Sequence, residues 1–483
     1  MMFSNFAKNL ARKPKWKLFL IVILGIFLRL VFFSGMDVSD SLEYGKTAHD
    51  IKKGIAQNSV PTLSTRLGLV YPTAISYRIF GISDFSSVLF VFLTSIASII
   101  LIFYFGKLLF NTKTGMIAAF LLSFFPLNVV DSTKLLSDLP SAFFVALGVY
   151  IFLYAELKSK LKHGISYLLP GVFIGIGYLI RESALLIALF FIAYILYKRR
   201  VKKEYFLVPA GVLIIFIFEA LIFFSLTGDP LFRVHAPQEY LAESTIAHDY
   251  FGRLDFPKGL LHYPYMILTD NLISVYYILI FTSMLYFILR KKTQAYSLMF
   301  WFIAILLYLS FGSASLAQYI PFKATARYLE IVTMPGILLL SFFISEKKLN
   351  YKNAVAFLMV FLAISSVVFV FLRGDKDRLK DLRLAYDYIK KLDKPIYADD
   401  RSAKAFLYIG EYSDSIKVND YPEDLSGVRD SYIIINKRMI KGLKDANKNR
   451  IFPDEIKNPP KKWELTGEIG SNDEDKIIIY YVP

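Results

Sequence analysis

The stretch 16-WKLFLIVILGIFLRLVFFSGMDVSDSLEYGKTAHDIKKG-54 decides how the chain is read. From about Trp16 to Ser34 it is apolar over a length that crosses the hydrocarbon core as a helix. Lys8, Arg12, Lys13, Lys15 and Lys17 precede it and no small-residue cleavage site follows, so it reads as a retained anchor. Directly beyond lie Asp37, Asp40, Glu43 and Tyr44, with Asp40, Tyr44, Ala48, Ile51 and Gly54 in one helical phase. Carboxylates at the end of a span mark a functional site by default, because the bilayer penalises them. Asp40 could equally cap the surface helix. This stretch alone leaves both readings open.

The whole chain agrees with the first half of the quotation. Of 483 residues, 55% are hydrophobic and 16% aromatic, with a mean hydropathy of +0.47, too apolar for a soluble protein of this size. There is no cysteine, which excludes disulfides, thiolate nucleophiles and cysteine metal sites. The net charge of +16 does not mark a nucleic-acid binder. From Gly374 onward the chain carries 21 of its 56 basic and 21 of its 40 acidic residues, so the whole excess lies earlier. There it sits in short connectors between apolar runs, the positive-inside pattern.

Those connectors give a topology. Basic ones fall at the N-terminus, at Lys107 and Lys113, at Lys158, Lys160 and Lys162, at Lys198 to Lys203, at Arg290 to Lys292, and at Lys347, Lys348 and Lys352. Between them lie connectors of mixed or acidic charge near 35–85, 131–139, 181, 227–270 and 313–327. Strict alternation predicts a polytopic α-helical membrane protein of about eleven spans, N-terminus cytoplasmic and C-terminus outside. A further short or re-entrant helix is expected around Leu69–Ile79. Asp37, Asp40, Asp131, Asp138, Arg181, Glu182, Lys323 and Arg327 all come out on the outer side, and Glu219 lies in the outer half of its span. Exposed loops carry mixed charge anyway. Asp138, Arg181 and Glu182, however, sit in very short turns between apolar runs, which favours an outer cavity able to handle a charged lipid head group.

Beyond Gly374 the pattern changes to a helical run at 379–392, then β-rich strings PIYADD, AFLYIG, SIKVND, SYIIINK and DKIIIYYVP. The division expected is a membrane domain over 1–373 and a small soluble α/β or α+β domain over 374–483, outside the cell membrane. This tail has no phosphate loop, metal-ligand spacing or nucleophile elbow. It reads as shaping acceptor access, with donor binding expected to survive its removal.

Five strings in order carry a resemblance. They are Asp40-Ser41-Leu42-Glu43-Tyr44 after the first span, Arg66 followed by Tyr71-Pro72, Leu135-Leu136-Ser137-Asp138-Leu139-Pro140, Tyr178-Leu179-Ile180-Arg181-Glu182-Ser183, and Lys323-Ala324-Thr325-Ala326-Arg327-Tyr328-Leu329 before a helix with Pro335. Over about 10–345 the chain resembles the GT-C superfamily of integral-membrane glycosyltransferases, on the branch of the protein O-mannosyltransferases and lipid A aminoarabinose transferases. One departure is that Asp40 is followed by Ser41, where that family often has two adjacent acids, with Asp37 three residues earlier.

The resemblance implies a hexosyl or pentosyl transfer from a dolichyl- or undecaprenyl-type polyprenyl phosphate to an extracytoplasmic protein, lipid or glycan acceptor. It implies a base for the acceptor hydroxyl, here Asp40, and cations for the leaving phosphate, here Arg327, with Lys323 and Arg181 next. Asp138 is the second catalytic candidate. Asp37, Tyr44, Arg66, Glu182 and Tyr328 are expected to line the substrate site. Asp40 and Asp138 could hold Mg²⁺ or Mn²⁺, or Asp138 could hold a cation in place, and the spacing does not choose. His235, His248 and His262 read as surface or packing histidines. Tyr240, Tyr250, Tyr263 and Tyr265 read as cavity cover or as an interface belt. A transporter or flippase of lipid-linked glycans is the alternative, disfavoured because no paired halves with broken helices are seen. A structural or receptor role would leave the acids in the short turns unexplained.

Overall fold

The computed structural model describes residues 14–54, 65–158, 164–235, 258–313, 319, 322, 325–346, 352–373, 379–413, 416–422, 424–440, 453–470 and 475–483. Among these, six helices are long and apolar enough to span a bilayer: Asp84–Leu109, Asp138–Lys158, Lys203–Thr227, Thr293–Phe311, Ala326–Ser345 and Asn353–Arg373. The pair Leu261–Thr269 and Ser274–Leu289, bent by 112°, makes a seventh if counted as one span. The expected eleven is therefore not reached on this measure. Thr112–Phe124 and Ile165–Ile180 are apolar but short, and the first helix, Pro14–Val31, carries Lys15, Lys17 and Arg29. The helix expected near Leu69–Ile79 is present as Leu67–Phe80. The protein is an integral membrane protein.

Burial separates the roles of these helices. Ala326–Ser345 is 89% buried and forms the centre of the bundle, whereas Asn353–Arg373 is 17% buried and turns a row of large apolar side chains outward, as a lipid-facing helix does. Close crossings depend on glycine at two places. A methyl group at Gly171 would strike the Val208 carbonyl, so Ile165–Ile180 and Leu207–Thr227 pack backbone to backbone. A methyl group at Gly68 would meet Ile180 and its backbone, and this approach brings Arg66 beside Arg181.

The tail forms a five-stranded mixed sheet in the order β2-β1-β3-β5-β4, with β1 Ile396–Ala398, β2 Val418–Asp420, β3 Ser431–Asn436, β4 Glu464–Ile469 and β5 Ile477–Val482. β1 pairs parallel with β2 and β3, while β5 pairs antiparallel with β3 and β4. Two readings of the strings need correction. AFLYIG belongs to a helix, Asp400–Ile409, which opens with Asp399 accepting a bond from Ser402 N at 3.0 Å and crosses over between the parallel strands β1 and β2. β4 is a strand without a sequence signal, because ELTGEI is half exposed, polar and interrupted by Gly467 at an irregularity in the ladder.

The tail rests on the membrane helices. Leu379, Leu382, Ile389, Phe406, Tyr408 and Tyr412 share one apolar core with Met36, Val38, Leu42, Tyr44, Leu69 and Val70. Polar contacts border it. Arg383 and Tyr408 hold the Asp84 carboxylate at 2.7 and 2.9 Å, Lys404 pairs with Glu43, and Tyr412 stacks on His49.

Candidate active site

Asp40 opens the helix Asp40–Lys53, but it is not the cap. Ser39 occupies that position without a capping bond, and Asp40 and Glu43 occupy the first turn, where the helix dipole favours carboxylates. The Asp40 side chain meets Arg327 instead, Oδ2 to Nη2 at 3.1 Å. Ser41 donates to the Leu135 carbonyl at 3.1 Å and ties this helix to the turn that ends in Asp138.

Asp138, the first residue of Asp138–Lys158, faces two guanidinium groups. Arg181 Nη1 lies 2.7 Å and Arg327 Nε 3.8 Å from its Oδ2. Arg181 also donates to Ser137 Oγ at 3.2 Å and lies over the Tyr328 ring at 4.4 Å. Arg66, just ahead of Leu67–Phe80, donates to Ser137 Oγ at 2.7 Å and to the Tyr44 hydroxyl, with its nearest carboxylate, Glu182, at 3.8 Å. Glu182 accepts from Arg233 at 2.7 Å, and Arg233 reaches on to Glu219 at 2.5 Å while stacking over Tyr178 at 4.3 Å. Four arginines and four carboxylates thus form one chain of contacts at the end of the bundle where the C-terminal sheet region packs.

Of the residues singled out from the sequence, Asp40, Tyr44, Arg66, Asp138, Arg181, Glu182, Arg327 and Tyr328 are brought together here. Asp37 is buried in the turn before Asp40. Lys323, His248, Tyr240 and Tyr250 lie outside the described residues. His235 is an exposed partner of Asp229 at 2.7 Å, as a surface histidine would be, and Tyr263 is buried in the bundle core while Tyr265 is exposed. Arg233 and Ser137 were not picked out as site residues. The one sequence signal for Arg233 was Glu219, an acid within an apolar run that needs a partner. Ser137 gave none, since its part is to accept from two arginines at once.

The field of this network acts on its acids. Burial disfavours the charged form of Asp40, but Arg327, Arg66 and Arg181 outweigh it and hold the carboxyl below its ordinary value. Burial is likewise outweighed at Glu182, which Arg233 and Arg66 hold at about 2. Burial pushes the Tyr44 phenol up to about 12, so it meets Arg66 as a neutral acceptor. Because the folded value of Asp40 is depressed, its pair with Arg327 contributes fully above the ordinary carboxylate range and is lost only as pH falls through the lower value. Arg66→Ala should therefore move the acid limb of kcat/KM upward in pH. A pH–rate profile with that limb unmoved would take Arg66 out of the field at Asp40.

Among the described residues no three acidic or histidine side chains gather as metal ligands. Asp40 and Asp138 share Arg327 between them, so a divalent cation would have to displace a guanidinium that already balances their charge.

Residues 67–224 match the family model of the dolichyl-phosphate-mannose-protein mannosyltransferases. The matched segment contains Asp138, Arg181, Glu182 and Glu219 but neither Asp40 nor Arg327. No curated protein matches the chain in sequence. Its fold is shared with ArnT from Cupriavidus metallidurans bound to undecaprenyl phosphate, with a TM-score of 0.60 and 12% identity over 95% of this chain and 97% of that one. It is shared with the Archaeoglobus fulgidus oligosaccharyltransferase in complex with Zn and sulfate, with a TM-score of 0.57 and 14% identity over 97% of this chain and 74% of that one. It is also shared with the Archaeoglobus fulgidus oligosaccharyltransferase AglB in complex with an inhibitory peptide and a dolichol-phosphate, with a TM-score of 0.59 and 12% identity over 96% and 75%. The family-model match over 67–224 and the shared fold point the same way as the resemblance carried by the sequence strings.

Proposed function

We propose that the protein transfers a sugar from a polyprenyl phosphate to an acceptor on the extracytoplasmic side of the membrane, the soluble domain lying on that side. The observation that carries this reading is Arg327 shared between Asp40 and Asp138 within a cluster of arginines at the end of a lipid-embedded bundle. A lipid-borne phosphate reaches such a place with its tail in the bilayer and its charge among guanidinium groups. The phosphates carried by the ArnT and AglB structures of the same fold support it.

In this mechanism Asp40 takes the proton of the acceptor hydroxyl as its oxygen attacks the anomeric carbon. The bond from that carbon to the phosphate oxygen breaks, and the lipid phosphate leaves with the electron pair and its added negative charge. Arg327 and Arg66 hold that charge. Arg66 is the better first contact for the donor, because its close partners are the neutral Tyr44 and Ser137 oxygens. Arg181, paired with Asp138 and covered by Tyr328, braces the rear of the site. Asp138 holds Arg181 and Arg327 in place.

The test is turnover by purified protein in bilayers, given radiolabelled polyprenyl-phosphate hexose or pentose and followed by release of lipid phosphate. No consumption of any such donor, with or without peptide and lipid acceptors, would end this reading. Within it, Arg327→Ala should weaken donor binding by roughly 10- to 100-fold, the range for a lost hydrogen bond to a charged group of about 1.5–3 kcal/mol. Arg327→Lys should restore binding only in part, since an ammonium lacks the planar fork. Full affinity in the Ala variant, measured with labelled polyprenyl phosphate, would remove Arg327 from the donor site.

A further inference from the structure

Beneath the Asp40–Arg327 pair lies a second set of ionisable groups that the mechanism above does not use. Arg29, fully buried in the first helix, donates from Nε to Ser95 Oγ at 2.6 Å, from Nη1 to the carbonyls of Gly25 and Ser123 at 3.0 and 3.3 Å, and from Nη2 to Asn128 Oδ1 at 2.6 Å. Asn128 Oδ1 also accepts from Ser95 at 3.1 Å, and its Nδ2 donates to Glu330 Oε2 at 3.4 Å. Asn128 and Glu330 are both almost fully buried, and the other Glu330 oxygen has no hydrogen-bond partner among the described residues. Ionisable groups inside a span are costly and point to function before packing.

The placement of this chain in the sequence gives it a task. Arg29 lies eleven residues ahead of Asp40, on the helix whose end leads into the acidic segment. Glu330 follows Arg327 by three residues, at the start of the helix that the Arg327 turn feeds. Asn128, in the short helix Pro126–Asp131, bridges the two. The same two segments that supply Asp40 and Arg327 at the surface are therefore joined again inside the bundle.

We infer that Arg29, Asn128 and Glu330 form a buried spacer that sets the separation of Asp40 and Arg327. They are positioning residues, since none of them faces the reacting groups. The inference rests on the reading of Asp40 and Arg327 as the reaction centre. A spacer of hydrogen bonds has one preferred length, whereas an apolar contact between the same helices would allow them to slide.

Asn128→Leu removes both ends of the bridge with little change in volume. It should lower kcat about 100-fold, the order expected when catalytic groups shift by about an ångström, with donor KM little changed. The acid limb of its pH profile should also rise, because Asp40 is loosened from Arg327. Amide hydrogen exchange, which needs no activity, should speed up in peptides covering 36–44 and 325–330 and not across the bundle. Glu330→Leu, which takes away the acceptor of Asn128 Nδ2 and leaves the Arg29–Asn128 bond in place, should show the same changes more weakly, and it carries the test if Asn128→Leu does not fold. Unchanged kcat, acid limb and local exchange in a folded variant would overturn the spacer, as would exchange that rises evenly throughout while the acid limb stays put. If the wild-type protein transfers no sugar, the proposed function fails, while the exchange pattern still decides whether the spacer holds these two segments.

Discussion

Asp40→Asn should cut turnover by about 10²- to 10⁴-fold, the contribution of a positioned general base, while leaving the protein folded and able to bind donor. The asparagine keeps the shape of the side chain and can still accept from Arg327, so the 3.1 Å contact survives as a neutral bond. What disappears is a negative charge facing the place where a phosphate would sit, so donor affinity should hold or tighten. This separates a base from a cap or a structural partner, since losing either of those would weaken folding first. The depressed acidity of Asp40 adds a refinement. In the free protein the arginines keep it a poor base. A bound phosphate would neutralise part of that positive charge and let the carboxyl return toward its ordinary range, where it accepts a proton more readily. The acid limb should then lie higher in kcat, which reports the donor complex, than in kcat/KM, which reports the free enzyme. Unchanged single-turnover rates in the folded Asn variant would remove Asp40 from the chemistry and make Asp37 the next carboxylate to test.

The site was more legible in the sequence than the architecture that holds it. Charges stranded in short apolar turns are visible without structure, because hydropathy makes each of them an anomaly, and Asp138, Arg181 and Glu182 were found that way. Arg327 and Asp40 needed the family strings, since 287 residues separate them and nothing local says they meet. Arg233 escaped because an arginine in a long polar connector looks solvated until Glu182 and Glu219 are seen on either side of it. The helix Asp400–Ile409 was read as strand because AFLYIG is apolar and aromatic over a strand's length, and only the Asp399 cap ahead of it marks a helix. The span count fell short for a different reason. Alternating charge counts apolar runs between basic connectors, whereas length and composition count long helices, and among the described residues Thr112–Phe124 and Ile165–Ile180 are short and the pair Leu261–Thr269 and Ser274–Leu289 is bent by 112°.

Removing the chain after Arg373 should abolish donor binding, contrary to what the bare sequence of the tail suggests. Without the tail, Leu42, Tyr44, Leu69 and Val70 lose the tail's share of their common apolar core, which reaches the Asp40 helix through Asp400–Ile409 and includes Phe406 and Tyr408. Each large apolar side chain returned to water costs about 1.5–3 kcal/mol, so a handful of them is comparable with the 5–15 kcal/mol that separates a folded domain from its unfolded chain. The Lys404–Glu43 pair at the rim, partly exposed on both sides, adds only about 0.2–1 kcal/mol. The apolar contact therefore fixes the helix that opens with Asp40, and through Tyr44 it also fixes Arg66. Truncation should leave that helix protease-sensitive even if the bundle stays folded. Phe406→Ala in the full chain should reproduce much of the effect, at about 3–5 kcal/mol for a buried phenylalanine, while Lys404→Ala should be nearly silent. Limited proteolysis across 40–53 and binding of labelled polyprenyl phosphate would read both. A truncated protein that keeps this helix protected and binds donor with full affinity would show that the tail merely rests on the site, and the earlier view of it as a guide for acceptors alone would stand.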